Sequence, residues 1–338
     1  MSGPNGRARI EAVLQGRRLD RPPLMLWRHW PVDDGSGEAL AQSTLAFQRA
    51  VPSDIVKVTP AQTAFAEMWG GASAYTGDPL GTRTFVRRAV NSLDEWSSVV
   101  ASRAPSFAPL AAQVEAVGRI RQSLGPEAVI LATVFSPLSV FRYLTGDELF
   151  APSLRLSPDE ALEHLERITT AVAKAGRDLL HAGADGLFLS LFPAGASYLS
   201  REEYARFGVP GDRAVLTAAA GAFFNLVHFH APFPWLTFAR EYACQGVSWD
   251  AWSTSPDVAG VRAAVAGKVL VGGLDQRSLL VTGSAAAVRT AVHRLKDADA
   301  GDLIIASGCA MPQMVPAGNL RAVVDELGAC GCASSPPA

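Results

Sequence analysis

The chain has 338 residues, 49% of them hydrophobic, with 30 Lys plus Arg against 32 Asp plus Glu and a formal net charge of −2. That balance excludes the basic footprint of a nucleic-acid binder or of a protein held on an anionic membrane, and no run of about 20 apolar residues is present to span a bilayer. The remaining class is a chain large enough to bury one sizeable core and to read a small molecule in a pocket.

Residues 1–9 are polar and lack the apolar run of a secretory signal. Short apolar runs then occur at 24–27, 54–58, 129–134, 186–190, 225–230, 246–249, 269–274 and 303–306, with longer amphipathic stretches between them. This alternation is that of repeated βα units. Predicted helices include 157–182, opened by Ser157-Pro158-Asp159-Glu160, then 255–266, opened by Ser255-Pro256-Asp257, and 284–295. Serine suits a helix cap, proline the first helical position and acids the positive helix end. Eight strands with helical crossovers predict a single (β/α)8 TIM barrel over 1–328, with an N-terminal extension and a flexible tail at 329–338. A doubly wound open sheet is the alternative. It would need a Gly-rich phosphate turn after an early strand, and no G-x-G-x-x-G occurs. Cys244, Cys309, Cys330 and Cys332 are not spaced as a disulfide framework, which points to reduced thiols and a cytoplasmic chain.

In a barrel, chemistry sits at the C-terminal strand ends. That rule selects Arg28, Thr59, Phe135, His228, His230, Asp250, Asp275 and Cys309. The sharpest feature is Val227-His228-Phe229-His230 at the end of the fifth predicted strand. Side chains two apart on a strand share a face, so both imidazoles aim into one space. Cys309 follows the eighth strand in Ser307-Gly308-Cys309-Ala310. Two histidines and a cysteine are three N/S ligands for a tetrahedral zinc whose fourth position stays open, as in catalytic sites. Spacing alone leaves the other readings open: a histidine that satisfies a backbone group, and a cysteine that is a small core residue. Asp275 could orient a ligand or bind substrate, or cap the next helix. Asp250, between Trp249 and Trp252, is equally two-sided. Arg28 could clamp a carboxylate at the mouth or pair with Asp33 or Asp34, while Trp27, His29 and Trp30 could roof the site. Cys330 and Cys332 alone do not make a metal site.

Several stretches resemble the uroporphyrinogen decarboxylase superfamily: Gly-Arg-Arg-Leu-Asp-Arg-Pro-Pro-Leu at 16–24, Ser-Asp-Ile-Val-Lys-Val-Thr-Pro at 53–60 with Glu-Met-Trp-Gly at 67–70, Ser136-Pro137-Leu138 through Tyr143, Gly-Ala-Asp-Gly at 183–186 and Val-Gly-Gly-Leu-Asp at 271–275. The resemblance runs from about residue 9 to 327. It implies a TIM barrel and one of two chemistries. Decarboxylases of the superfamily are metal-free; they hold tetrapyrrole carboxylates with arginines after strand one and pyrrole NH groups with an aspartate after strand two. Here Arg28 matches the first arginine and Tyr143 a family tyrosine, but Val32 stands in place of the second arginine, Ala61 near that of the aspartate, and Cys309 at a late histidine. The other branch, similar to corrinoid:coenzyme M methyltransferases, binds zinc through His-x-Cys after strand five and a cysteine after strand eight. His228 and Cys309 match its first and last ligands, and His230 replaces its cysteine. Imidazole is an ordinary zinc ligand, but the exchange raises the site's charge by one unit.

The resemblance therefore implies a zinc-dependent methyl or alkyl transferase with metal ligands His228, His230 and Cys309, and with Arg28, Tyr143 and Asp275 at its catalytic centre. The acceptor would be a small thiol-like molecule, and the donor could be a methylcorrinoid on a partner protein, since nothing in the chain reads as a cobalamin-binding motif. Two alternatives are a metal-free decarboxylase of a carboxylated, tetrapyrrole-like substrate and a non-catalytic barrel that carries a metal or ligand. The oligomeric state stays open, a homodimer included.

Overall fold

The computed structural model describes residues 5–17, 19–230, 232–250 and 256–328, apart from the side chains of 94, 96 and 97. The predicted tail with Cys330 and Cys332, and also Trp252 and Ser255, lies outside these residues. Ten strands run in chain order: β1 (Leu24–Met25), β2 (Ile55–Val58), β3 (Ala72–Tyr75), β4 (Arg83–Arg87), β5 (Val129–Phe135), β6 (Gly186–Leu191), β7 (Leu226–Phe229), β8 (Gly246–Trp249), β9 (Val269–Leu274) and β10 (Leu303–Ser307). Eight pair in parallel in the order β1-β10-β9-β8-β7-β6-β5-β2. The two edge strands meet where the Asp54 N–H donates to the Leu24 carbonyl at 2.8 Å. The result is a nearly closed (β/α)8 barrel whose eight strands are those expected from the apolar runs.

Period-two alternation decides what the barrel encloses. On β7, Val227 and Phe229 pack outward against the helix layer, while Leu226 joins an interior cluster with Met25, Trp27, Ile55, Leu131, Phe188, Val271 and Ile304. The helix Gly6–Leu14 stoppers the N-terminal end: Ile10 and Val13 belong to that interior cluster, and a side chain at Gly6 would meet the Asp54 carbonyl at 2.7 Å.

The predicted helices form with shifted starts. The helix Pro158–His181 has Ser157 at its cap position, but the serine hydroxyl makes no capping bond there. The helix Val258–Val265 begins later than expected because the Asp257 carboxylate takes the Gly260 N–H. Ser284 caps the helix Ala285–Ala298 as read. The sequence reading did not include β3 and β4, an antiparallel hairpin inserted after β2. Gln62 fixes it by exchanging side-chain hydrogen bonds with both backbone groups of Arg83, and Arg83 pairs with Asp34. Its turn presses on the barrel mouth at Gly81, whose φ of +79° and contact with the His29 and Pro31 side chains leave no room for a Cβ. Among the described residues, no helix is long and apolar enough to cross a membrane.

Candidate functional site

His228 and His230 leave β7 on its inward face, and Cys309 enters the same space from the turn after β10. One ligand atom from each lies within 4.8 Å of the other two. The Cys309 thiol stands 3.3 Å from His230 Nδ1. The strand register sets His228 opposite Ser248 on β8, and His228 Nδ1 bonds the Ser248 hydroxyl at 3.0 Å. That contact turns the other ring nitrogen toward the cavity. His228 Nε2 is buried and meets no hydrogen-bond partner among the described residues. Trp27 packs edge-on to His228, Phe188 lies 5.1 Å from its ring, and Phe192 lies 4.2 Å from that of His230.

Burial dominates the electrostatics. It drives His228 well below its ordinary range and His230 down to about 4, with Asp250 opposing and Arg277 and Arg142 reinforcing the latter shift. Both rings are therefore neutral at neutral pH, the form in which imidazole binds a metal. Burial pushes the Cys309 thiol up to about 11. The donor set fits a tetrahedral zinc, whose bonds of about 2.0–2.1 Å to nitrogen and 2.3 Å to sulfur set ligand atoms roughly 3.3–3.6 Å apart. His230 and Cys309 already stand at that separation, and the orphaned Nε2 of His228 supplies the third donor.

The three residues border a cavity of about 320 Å3 at the C-terminal end of the barrel. Tyr143, Thr59 and Phe135 also line it, together with Trp27 and His29, while Leu80 and Thr82 of the hairpin close one side. Among the described residues no Asp or Glu lines it.

Two predicted site residues are not brought to this cavity. Arg28 lies between Trp27 and His29 on the opposite parity, so its guanidinium turns outward, 4.6 Å over the Trp30 ring and 5.4 Å over Phe47. The expected pairing with Asp33 or Asp34 is not formed either: Asp33 accepts the Ser43 hydroxyl, and Asp34 holds Arg83. Trp30 leaves the roof with Arg28. Asp275 is consumed by the next turn, accepting the backbone N–H groups of Arg277 and Ser278 and the Ser278 hydroxyl. This is the capping role of a short acidic side chain. Arg277, two residues on, takes the place at the cavity wall and pairs with Asp250 at 3.3 Å. Lys57 was not singled out, yet it lines the cavity and is only 6% exposed. The available signal was parity: Lys57 lies two residues before Thr59 on the same strand face.

The profile of the family described as uroporphyrinogen decarboxylase (URO-D) matches residues 34–329. The chain belongs to that family. Within it, the sequence is 22% identical to a methylcobamide:CoM methyltransferase of Methanosarcina mazei over 335 residues, covering 94% of this chain and 96% of the relative. It is 21% identical to the enzyme of the same name from Methanosarcina acetivorans, with the same coverage. These relatives fit the methyltransferase-like branch of the URO-D family. Among solved structures, a methyltransferase from M. mazei superposes with a TM-score of 0.84 at 17% identity, covering 96% of this chain and 98% of that one. A B12-independent methionine synthase from a Shewanella species reaches 0.57 at 15% identity, with 90% and 92% covered. Both likenesses concern the fold.

Proposed function

We propose that this chain is a zinc-dependent transferase that moves a methyl or similar small alkyl group between a donor and a small thiol acceptor. His228 Nε2, a ring nitrogen of His230 and Cys309 Sγ would hold the metal, leaving a fourth position for the acceptor sulfur. The observation that carries this reading is the convergence of three N/S donors, one of them a buried nitrogen with no other partner among the described residues, on a cavity that no described carboxylate lines. The metal, when bound, would keep the acceptor sulfur as a thiolate at neutral pH.

The chain's own residues do the rest. Ser248 fixes the ring orientation of His228. Trp27, Phe188 and Phe192 exclude water from the imidazoles, so a thiolate held there is poorly solvated and correspondingly nucleophilic. Tyr143, packed 5.7 Å from Phe135 and 6.0 Å from Phe192, keeps its hydroxyl protonated because burial raises it above its ordinary range, and offers the substrate a hydrogen-bond donor. The named relatives support a corrinoid-borne methyl group as donor. The metal-free decarboxylase alternative loses two substrate-holding groups, because Arg28 turns outward and Ala61 replaces the acid.

Elemental analysis of the wild type beside Cys309→Ala tests the metal. About one zinc per wild-type chain and almost none in the variant is expected of a three-ligand site. Thiol-dependent demethylation of methylcobalamin by the zinc-loaded protein tests the reaction and separates it from mere ligand carriage. A wild type that takes up no zinc at neutral pH, or a Cys309→Ala protein that keeps it, overturns the proposal.

A further inference from the structure

A second cavity, of about 520 Å3, lies on the outer wall of the barrel, between the helix Pro158–His181 and the chain at 103–107. Its floor is aromatic, formed by Phe107 and by Trp69, which is only 2% exposed. Its rim is basic. Arg103 stands on one bank and Arg167, Lys174 and Arg177 on the other, and no described Asp or Glu lines it. Lys174 lies 4.3 Å over the Phe107 ring and pairs with Asp178. The three guanidiniums have no carboxylate partner among the described residues. Arg103 donates to the Trp69 carbonyl at 3.4 Å, and Arg167 to the Ala101 carbonyl at 3.3 Å. The bank that carries Arg103 is held in place. The Ser106 N–H bonds the Met68 carbonyl at 2.8 Å, and Arg103 crosses Gly70 so closely that a Cβ there would meet its Nη1 at 2.8 Å.

A solvated helix face would explain scattered charges, but these are segregated. The helix carries Asp159, Glu160, Glu163 and Glu166 first, then only cations from 167 to 177. A helix dipole favours cations in the last turn, and its effect fades beyond that turn. The last turn here holds His181, not Arg167, Lys174 or Arg177. Nor does solvation explain a tryptophan at the bottom of a basic groove.

We propose that this groove binds a small phosphorylated molecule with an aromatic body, of the nucleoside diphosphate class. Guanidinium forks match phosphate oxygens two at a time, and three unpaired ones suit a polyanion better than a single carboxylate. Trp69 and Phe107 supply aromatic surface for a base. The volume falls in the range of about 300–1,000 Å3 usual for small-ligand sites. The groove shares no lining residue with the cavity at the barrel mouth, so the inference goes beyond the transferase reading and stands without it.

Calorimetric titration of the full chain at about 0.15 M salt, where loose surface attraction is largely screened, tests the groove with ADP, adenosine and pyrophosphate as probes. ADP is expected to bind at about one per chain, on the order of tenfold or more tightly than either fragment. Arg167→Gln with Arg177→Gln is expected to weaken ADP binding on the order of tenfold. Arg289→Gln with Arg294→Gln removes the same charge from the distant helix Ala285–Ala298 and is expected to leave it within about twofold. All four side chains are exposed, so neither double variant disturbs the core. ADP that binds no tighter than one of its fragments, or with equal affinity to the two double variants, overturns the inference. So does a hexaglutamate peptide that binds more tightly than ADP, which would assign the groove to an acidic protein partner.

Discussion

The two ends of the barrel treat their buried polar groups differently. At the N-terminal end, Asp54 receives Arg9, Arg21 and the Leu24 N–H, and Asp185 receives Arg7, Arg121 and the Ile130 N–H. Both carboxylates sit just before a strand and tie the strand's start to a neighbour, so their pairing fixes register and closure. At the C-terminal end Asp250 and Asp275 are also satisfied, but among the described residues no carboxylate pairs with Lys57, and the buried His228 Nε2 and His29 Nδ1 meet no hydrogen-bond partner. A fold that satisfies its aspartates so fully has no general inability to pair the groups left over. The difference marks which end is finished by the chain itself and which by something it binds.

This contrast can be broken by experiment. The largest effect belongs to the open end: Cys309→Ala or His228→Ala should lower thiol-dependent methyl transfer on the order of 10³-fold or more, as removal of a group used in the transition state does. The thermal midpoint of the metal-free protein should barely move. Next comes Asp185→Ala, which removes the acceptor shared by Arg7, Arg121 and the Ile130 N–H and should cost about 1–3 kcal/mol in denaturant titrations. Zinc affinity well below the unfolding transition should stay within about twofold of wild type, since breaking the closed end touches no ligand. A large loss of metal in that variant would mean that the two ends are coupled.

Ser248→Ala should weaken zinc binding by about 10–100-fold, the usual range for a group that orients a ligand histidine, with zinc-loaded turnover recovering at high zinc. The last effect is graded with pH. Below about 11 the Cys309 thiol holds a proton that the metal must displace, and His230 is neutral above about 4. Raising the pH removes the competitor, so affinity should rise roughly tenfold per unit between pH 6 and 9, one proton leaving per metal. Chelator competition reads the slope. A slope of zero would mean that the thiol is not a ligand, and a slope of two that a second group loses its proton.

The eight strands were legible because each is a short apolar run between amphipathic stretches, and the histidine pair because the strand repeat is two. Parity also explains the failures. Arg28 was chosen as a strand-end residue and by family likeness, yet Trp27 and His29 take the inward positions around it. The same count applied to β2, from Ile55 through Thr59, puts Lys57 inside. Asp275 follows a barrel strand but answers to the two N–H groups that come next in the chain, and such local bonding competes with any role at a distance. The β3–β4 hairpin escaped because its strands are only partly buried and show no clean alternation. Its fixation by Gln62 and Arg83 is tertiary.

The stoppered N-terminal end has a kinetic consequence. With Ile10 and Val13 filling the floor, the described residues leave the C-terminal mouth as the way in and out for whatever reaches His228 and Cys309. A donor carried by a partner protein, as proposed, would cover that doorway while it delivers its methyl group. The small acceptor must then already be seated, and the methylated product must wait until the donor departs. Such a queue predicts compulsory-order kinetics, acceptor first and product last, with the spent donor acting as a lid on its own product.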